Sequence, residues 1–228
     1  MSRQIVTDLE VVEDFTPTAR CDEGFLHVRR LKVRNRRDDG TTSALYRVDV
    51  IDRPRLDAVA VLIHRQTGSE LELLTRENLR PAAYFRQGKA QTVPDGRAHL
   101  FCEEIVAGLL EPRDQGEEGI RNRAAEEVLE EAGYRVSPAE VELLGQPFFV
   151  APGIISEKIF LAAVDVTGRV GEPPRGDGSP LEEGGTLKWR TLASLEQALE
   201  AGEIQDAKTE LAVARYLRRT GRVPWSHS

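Results

Sequence analysis

The segment that most constrains this chain runs from Ala107-Gly108-Leu109-Leu110-Glu111 to Glu126-Glu127-Val128-Leu129-Glu130-Glu131-Ala132-Gly133-Tyr134. Glu103 to Leu110 reads as a strand entering a glycine turn. Residues from about 117 to 132 read as a helix, with Gly133 as its stop at the C′ position. Four carboxylates fall within the six residues 126–131. On a helix, Glu127 and Glu131 share one face at i,i+4 spacing, with Glu130 beside them. Like charges so placed repel by roughly a few tenths of a kcal/mol per pair, so helix stability gives no reason for them. A divalent cation reverses that sign. Carboxylate oxygens are the ligands Mg²⁺ and Mn²⁺ prefer, with substrate phosphates commonly completing the shell.

The 228 residues are 40% hydrophobic and 30% charged, the composition of an ordinary globular chain. A net charge of −7 argues against a general binder of nucleic acid or of membrane surfaces. The run Arg29, Arg30, Lys32, Arg34, Arg36, Arg37 is a local exception. Its alternation with Leu31, Val33 and Asn35 predicts a solvated strand face more readily than a phosphate-binding patch. Cys21 and Cys102 have no partner at metal spacing and read as reduced thiols, and the four histidines show no ligand spacing either. With no basic-apolar opening segment and no apolar run near ~18 residues, a cytoplasmic protein is expected.

Short alternating segments (Ile5-Val6, Phe25 to Val28, Leu31 to Val33, Tyr46 to Val50), with a hairpin signal at Asp38-Asp39-Gly40, predict a small antiparallel lobe over residues 1–52. Asp57 to His64 is a nearly continuous apolar run, expected as a buried central strand, and Leu71 to Arg76 as the next. Residues 86–98 read as an exposed loop. Val141 to Val150 is expected as a strand broken at Pro147, and Lys158 to Val166 and Leu187-Lys188-Trp189 as two more. Gly171 to Gly185, rich in Gly, Pro and acid, reads as a mobile loop rather than a packed element. Leu192 to Ala201 and Ala207 to Thr220 have amphipathic helical periodicity, and Trp189 and Trp225 read as packing residues. Strands on both sides of a helix, with helices at the end, imply an α+β layered domain over 53–220, followed by a tail at 221–228.

A glycine, a loop and a Glu-rich helix ending in glycine resemble the signature box of the Nudix hydrolases. Gly108 matches its first glycine, and Glu127, Val128, Glu130, Glu131, Gly133 and Tyr134 match its second half. Other segments are similar to the ADP-ribose and UDP-sugar pyrophosphatase branch: Leu79-Arg80-Pro81-Ala82-Ala83-Tyr84, Glu103 to Gly108, Ala151 to Lys158, and Asp206-Ala207-Lys208-Thr209. Together they cover roughly residues 55–217. The chain departs from the box twice. Gly108 and Glu127 are four residues further apart than the pattern, leaving Asp114 or Glu118 as the middle acid. The arginine position holds Glu126, with Arg123 and Arg121 as candidate replacements.

The resemblance implies an α/β/α sandwich with a mixed central sheet, plus the N-terminal lobe as a homodimer contact. It implies Mg²⁺ or Mn²⁺ held by Glu127, Glu130, Glu131 and the Ala107 carbonyl. Substrate contacts fall to Arg80, Glu104 and Glu157, and catalytic roles to Glu127, Glu131 and a loop carboxylate, Glu183 or Glu182, as general base. The implied activity is hydrolysis of the diphosphate linkage of ADP-ribose or a nucleoside diphosphate sugar, with no nucleic-acid or membrane partner. Two alternatives stand beside it. One is a weakly catalytic module that binds such a ligand without turnover, and the other is a different diphosphate substrate class.

Overall fold

The computed structural model describes residues 20–176 and 178–222, so the expected Ile5-Val6 segment, Trp225 and most of the tail lie outside the described residues. β1 (His27–Val33) and β2 (Tyr46–Asp52) form a two-stranded antiparallel sheet in which Leu31 faces Val48 across the pair. The Asp38-Asp39-Gly40 turn lies between them, with Gly40 in the left-handed region at φ 82°. Arg30 and Lys32 are exposed on one face of β1, and Arg29 is exposed on the other, beside the half-buried Leu31. The backbone bond from the Ile51 N–H to the Ile154 carbonyl (2.8 Å) connects this ribbon to the rest of the chain.

The main sheet is built on β3 (Ala58–Thr67). It pairs antiparallel with β4 (Glu70–Leu79) and parallel with β9 (Lys158–Asp165). A strand apolar at every position must be covered on both faces, and the side chains divide by parity. Ala58, Ala60 and Leu62 enter one buried cluster, while Val59, Val61 and Ile63 enter the other. The first cluster is covered by α3 (Leu192–Glu200) and α4 (Ala207–Arg219). The second is covered by α2 (Gly116–Ala132) through Ile120, Ala124 and Val128. β10 (Leu187–Thr191) extends the sheet beyond β4, so the mixed sheet lies between helices on both faces. This is the α+β layered fold expected above.

Three local departures matter. The strand expected over Glu103 to Leu110 is two strands, β5 (Phe101–Glu104) on β4 and β6 (Val106–Leu109) on β3. Between them the Ile105 N–H leaves the ladder and donates to the buried Thr209 hydroxyl of α4 at 2.9 Å. The expected Val141–Val150 strand is reduced to β7 (Glu142–Leu143) and β8 (Phe148–Phe149), on either side of a turn containing Gly145 and Pro147. Pro81 opens a short helix, α1 (Pro81–Tyr84), in the N1 position where a missing N–H costs nothing.

Candidate active site

Gly108 lies on the same strand face as Val106 and Leu110, both directed toward α2. A Cβ at Gly108 would fall 1.7 Å from Oε1 of Glu127. The missing side chain is therefore what lets the Glu127 carboxylate lie against the strand. One turn further along α2, Glu131 Oε2 accepts the Ala107 N–H at 3.3 Å. Four predicted positions, Ala107, Gly108, Glu127 and Glu131, thus meet at one junction of strand and helix. Glu130 is half-buried beside them. α2 ends as the sequence predicts, with Gly133 at φ 76° and its N–H on the Leu129 carbonyl. A side chain there would also strike the Glu172 carbonyl oxygen at 1.8 Å.

Two of the three box carboxylates, Glu127 and Glu131, are ion-paired. Arg123 donates from Nη2 to Glu127 Oε1 at 2.5 Å and from Nη1 to Glu126 Oε2 at 3.0 Å. Arg76, buried on β4, lies 3.2 Å from Glu131. Burial pushes the Glu127 carboxyl above its ordinary range; Arg123 opposes the rise and Glu130 adds to it. Of the two acids left open for the lengthened turn, Asp114 is folded inward and accepts the Glu111 N–H at 2.8 Å, whereas Glu118 is exposed. Arg121 turns away from the carboxylates to the Val141 carbonyl.

Two cavities open from this junction. One, about 880 Å³, is lined by Arg76 and Glu131 on one side and by Arg175, Ser179 and Glu183 of the 171–185 segment on the other. This segment contains a 3-10 turn, Pro180–Glu182, whose cap is the Ser179 hydroxyl accepting the Leu181 N–H. So the expected loop is partly structured, and Glu183 faces the same space as Glu131. The Glu182 side chain lies outside the described residues. The other cavity, about 700 Å³, runs along Ala107 and Gly108 to Arg80, Glu104, Glu157 and Phe25 of the N-terminal ribbon.

The second cavity is walled by buried ion pairs. Glu104 accepts from Asn78 Nδ2 (3.0 Å), from Arg80 Nε (2.7 Å) and from Lys208. Burial raises its carboxyl, but Lys208 and Arg80 outweigh that and hold it below the ordinary range. The neighbouring Glu103 is likewise pushed up by burial and brought down by Arg190, whose Nε lies 2.5 Å away, and by the Thr75 hydroxyl at 2.6 Å. Glu157 is paired with Arg53, yet burial keeps its carboxyl above the ordinary range. Arg80, Glu104 and Glu157, the three positions assigned substrate contacts, therefore line one cavity. Lys208 and Arg53 line the same cavity; Lys208 belongs to the Asp206-Ala207-Lys208-Thr209 segment, while Arg53 has no local signal in the sequence.

The donor set suits a hard cation, since it is all oxygen: the carboxylates of Glu127, Glu130 and Glu131, and the Ala107 carbonyl. Gly108 provides the space in which the Glu127 carboxylate sits, so the residues fit Mg²⁺ or Mn²⁺. Among the described residues, no three Asp, Glu, His or Cys side chains already surround one point. Arg123 and Arg76 occupy the carboxylates instead.

No protein-family profile and no curated protein matches the sequence. The structure is similar to a crystal structure described as an ADP compounds hydrolase. The TM-score is 0.60, with 98% of this chain and all of the other covered, at 16% sequence identity. At that identity the likeness shows the fold alone and carries no substrate. No helix among the described residues is long and apolar enough to cross a membrane.

Proposed function

We propose that this chain hydrolyses the diphosphate linkage of ADP-ribose or a nucleoside diphosphate sugar, in a reaction dependent on Mg²⁺ or Mn²⁺. The carrying observation is the Glu127 carboxylate lying in the space left by Gly108, one turn from Glu131 on the Ala107 N–H. Glu127, Glu130, Glu131 and the Ala107 carbonyl would hold the cation, which would supply charge neutralisation to the diphosphate. Glu183, facing the cavity of Glu131, takes the proton of the attacking water as general base. Arg80, at the mouth of the second cavity, donates to non-bridging oxygens and steadies the charge that builds up on them. Water oxygen joins one phosphorus, the bridging bond breaks, and a nucleoside monophosphate and a sugar phosphate leave.

The name of the structural neighbour agrees with this reading. Purified protein with Mg²⁺ and a panel of nucleotide sugars and ADP-ribose is expected to release both monophosphates. Removal of the cation with a chelator is expected to abolish release. Absence of turnover on every compound, with cation bound, refutes the proposal. The proposal includes a homodimer through the N-terminal ribbon, where Phe25, Leu26, Leu45 and Tyr46 expose apolar surface. A solution mass of a single chain counts against that part.

A second reading is favoured by one observation. Arg123 and Arg76 are already paired with Glu127 and Glu131, as a ligand-binding module without turnover would permit. Calorimetric binding of ADP-ribose with no product formed selects it.

A further inference from the structure

We infer that Arg123 is the positioning residue for the Glu127 carboxylate, and that Glu126 is its partner rather than a lesion in the acidic-helix signature. The inference rests on the hydrolase reading above and concerns how this chain holds its candidate cation ligand.

The signature places an arginine directly before the first box glutamate, and this chain has Glu126 in that position. Consecutive helix residues point about 100° apart, so side chains at 126 and 127 leave the helix in different directions. Residue 123 is four positions before 127, on the same face one turn away. The structure uses that geometry. The Arg123 guanidinium forks, with Nη2 on Glu127 at 2.5 Å and Nη1 on Glu126 at 3.0 Å. Arg123 and Glu127 side chains are mostly buried, whereas Glu126 is more open, and the same Oε2 that meets Arg123 also accepts from Arg113 at 3.1 Å. Glu126 thus grips the arginine from outside and fixes which edge it presents to Glu127. The arginine thus reaches the box glutamate from one turn earlier in the helix.

Stability alone is a poor explanation for this buried arginine. Its Nε is buried with no hydrogen-bond partner among the described residues, and a buried ion pair often stabilises no better than an apolar replacement. A residue that orients a metal-binding carboxylate is a sufficient reason, because partners outside the ligand shell set both the direction and the charge of the ligand.

The test measures Mn²⁺ binding to the substrate-free protein by electron paramagnetic resonance, alongside thermal unfolding and turnover. Arg123→Ala is expected to weaken Mn²⁺ binding and to lower turnover, each by about 10–100-fold, in a protein that still unfolds cooperatively. Glu126→Arg alone is expected to bring no gain, while Arg123→Ala/Glu126→Arg is expected to recover part of the lost Mn²⁺ affinity. If Arg123→Ala does not fold, Arg123→Lys serves. It keeps the charge but not the fork, and a smaller loss of Mn²⁺ affinity is expected. Wild-type Mn²⁺ affinity in the Ala or Lys variant overturns the inference while leaving the hydrolase reading intact. So does a tenfold or greater gain, roughly the scale of an outer-shell effect, from Glu126→Arg alone. If the wild-type protein binds no Mn²⁺, both fall.

Discussion

Two groups of buried carboxylates flank the β5–β6 segment, one around Glu104 of β5 and one on α2, and they are compensated differently. Around Glu104, two cations and an amide meet one carboxylate, and its acidity is held below the ordinary range. On α2, Glu127 has one arginine shared with Glu126, a neighbouring Glu130, and a carboxyl pushed above that range. Both are acids in a low-dielectric setting, but the first is saturated and the second is short of positive charge. A saturated carboxylate fastens β5 to α4. The undercompensated one is where the proposed function would place the cation.

The largest expected effect separates the two groups outright. Lys208→Ala leaves Glu104 buried with a weaker complement and is expected to cost about 3–5 kcal/mol, read as a lower denaturant midpoint. Unchanged stability with lost catalysis would invert the comparison. Next in size, Glu127→Gln removes a charge that burial already disfavours. Turnover is expected to fall by about 10²-fold or more with little change in melting temperature, measured by kinetics and calorimetry in parallel. Gly108→Ala is expected to displace the Glu127 carboxylate from the strand and to lower turnover by about tenfold, with far-ultraviolet circular dichroism preserved. A wild-type rate there would show that the close approach is incidental.

The smallest effect concerns acid. The Glu104 carboxyl is depressed in the folded chain. Its stabilisation is therefore complete above the ordinary glutamate range, near pH 4, and is lost as pH falls through the lower folded value. Glu104→Gln is expected to flatten that part of the stability profile. For Glu127 the sign is opposite: its raised carboxyl favours the folded chain more as pH falls, so Glu127→Gln is not expected to flatten the acid limb.

Much of this architecture was legible along the chain. The unbroken apolar run from Ala58 to Ile63 required a strand covered twice, and the parity of its side chains fixes which cluster each enters. The spacing of Glu127 and Glu131 placed both on one helix face. What could not be read were pairings across long separations. Arg53 meets Glu157 and Lys208 meets Glu104, each 104 residues away, and no local periodicity records such partners. The break at Ile105 was hidden for a related reason: the sequence there remains strand-like, and the hydroxyl that receives its N–H belongs to the last helix. The Glu182 side chain is outside the described residues, so only Glu183 of the two loop acids has a described place.

The 171–185 segment is stitched at both ends. The Glu172 N–H donates to the Gly133 carbonyl at 2.8 Å and the Gly176 N–H to the Glu130 carbonyl at 3.0 Å. At the other end the Glu77 N–H donates to the Thr186 carbonyl at 2.9 Å. Glu183 stands three residues before Thr186, so its Cα can range no further than about 10–11 Å from that knot even at full stretch. The leash is short, and any acid on it can serve only a water held within its radius.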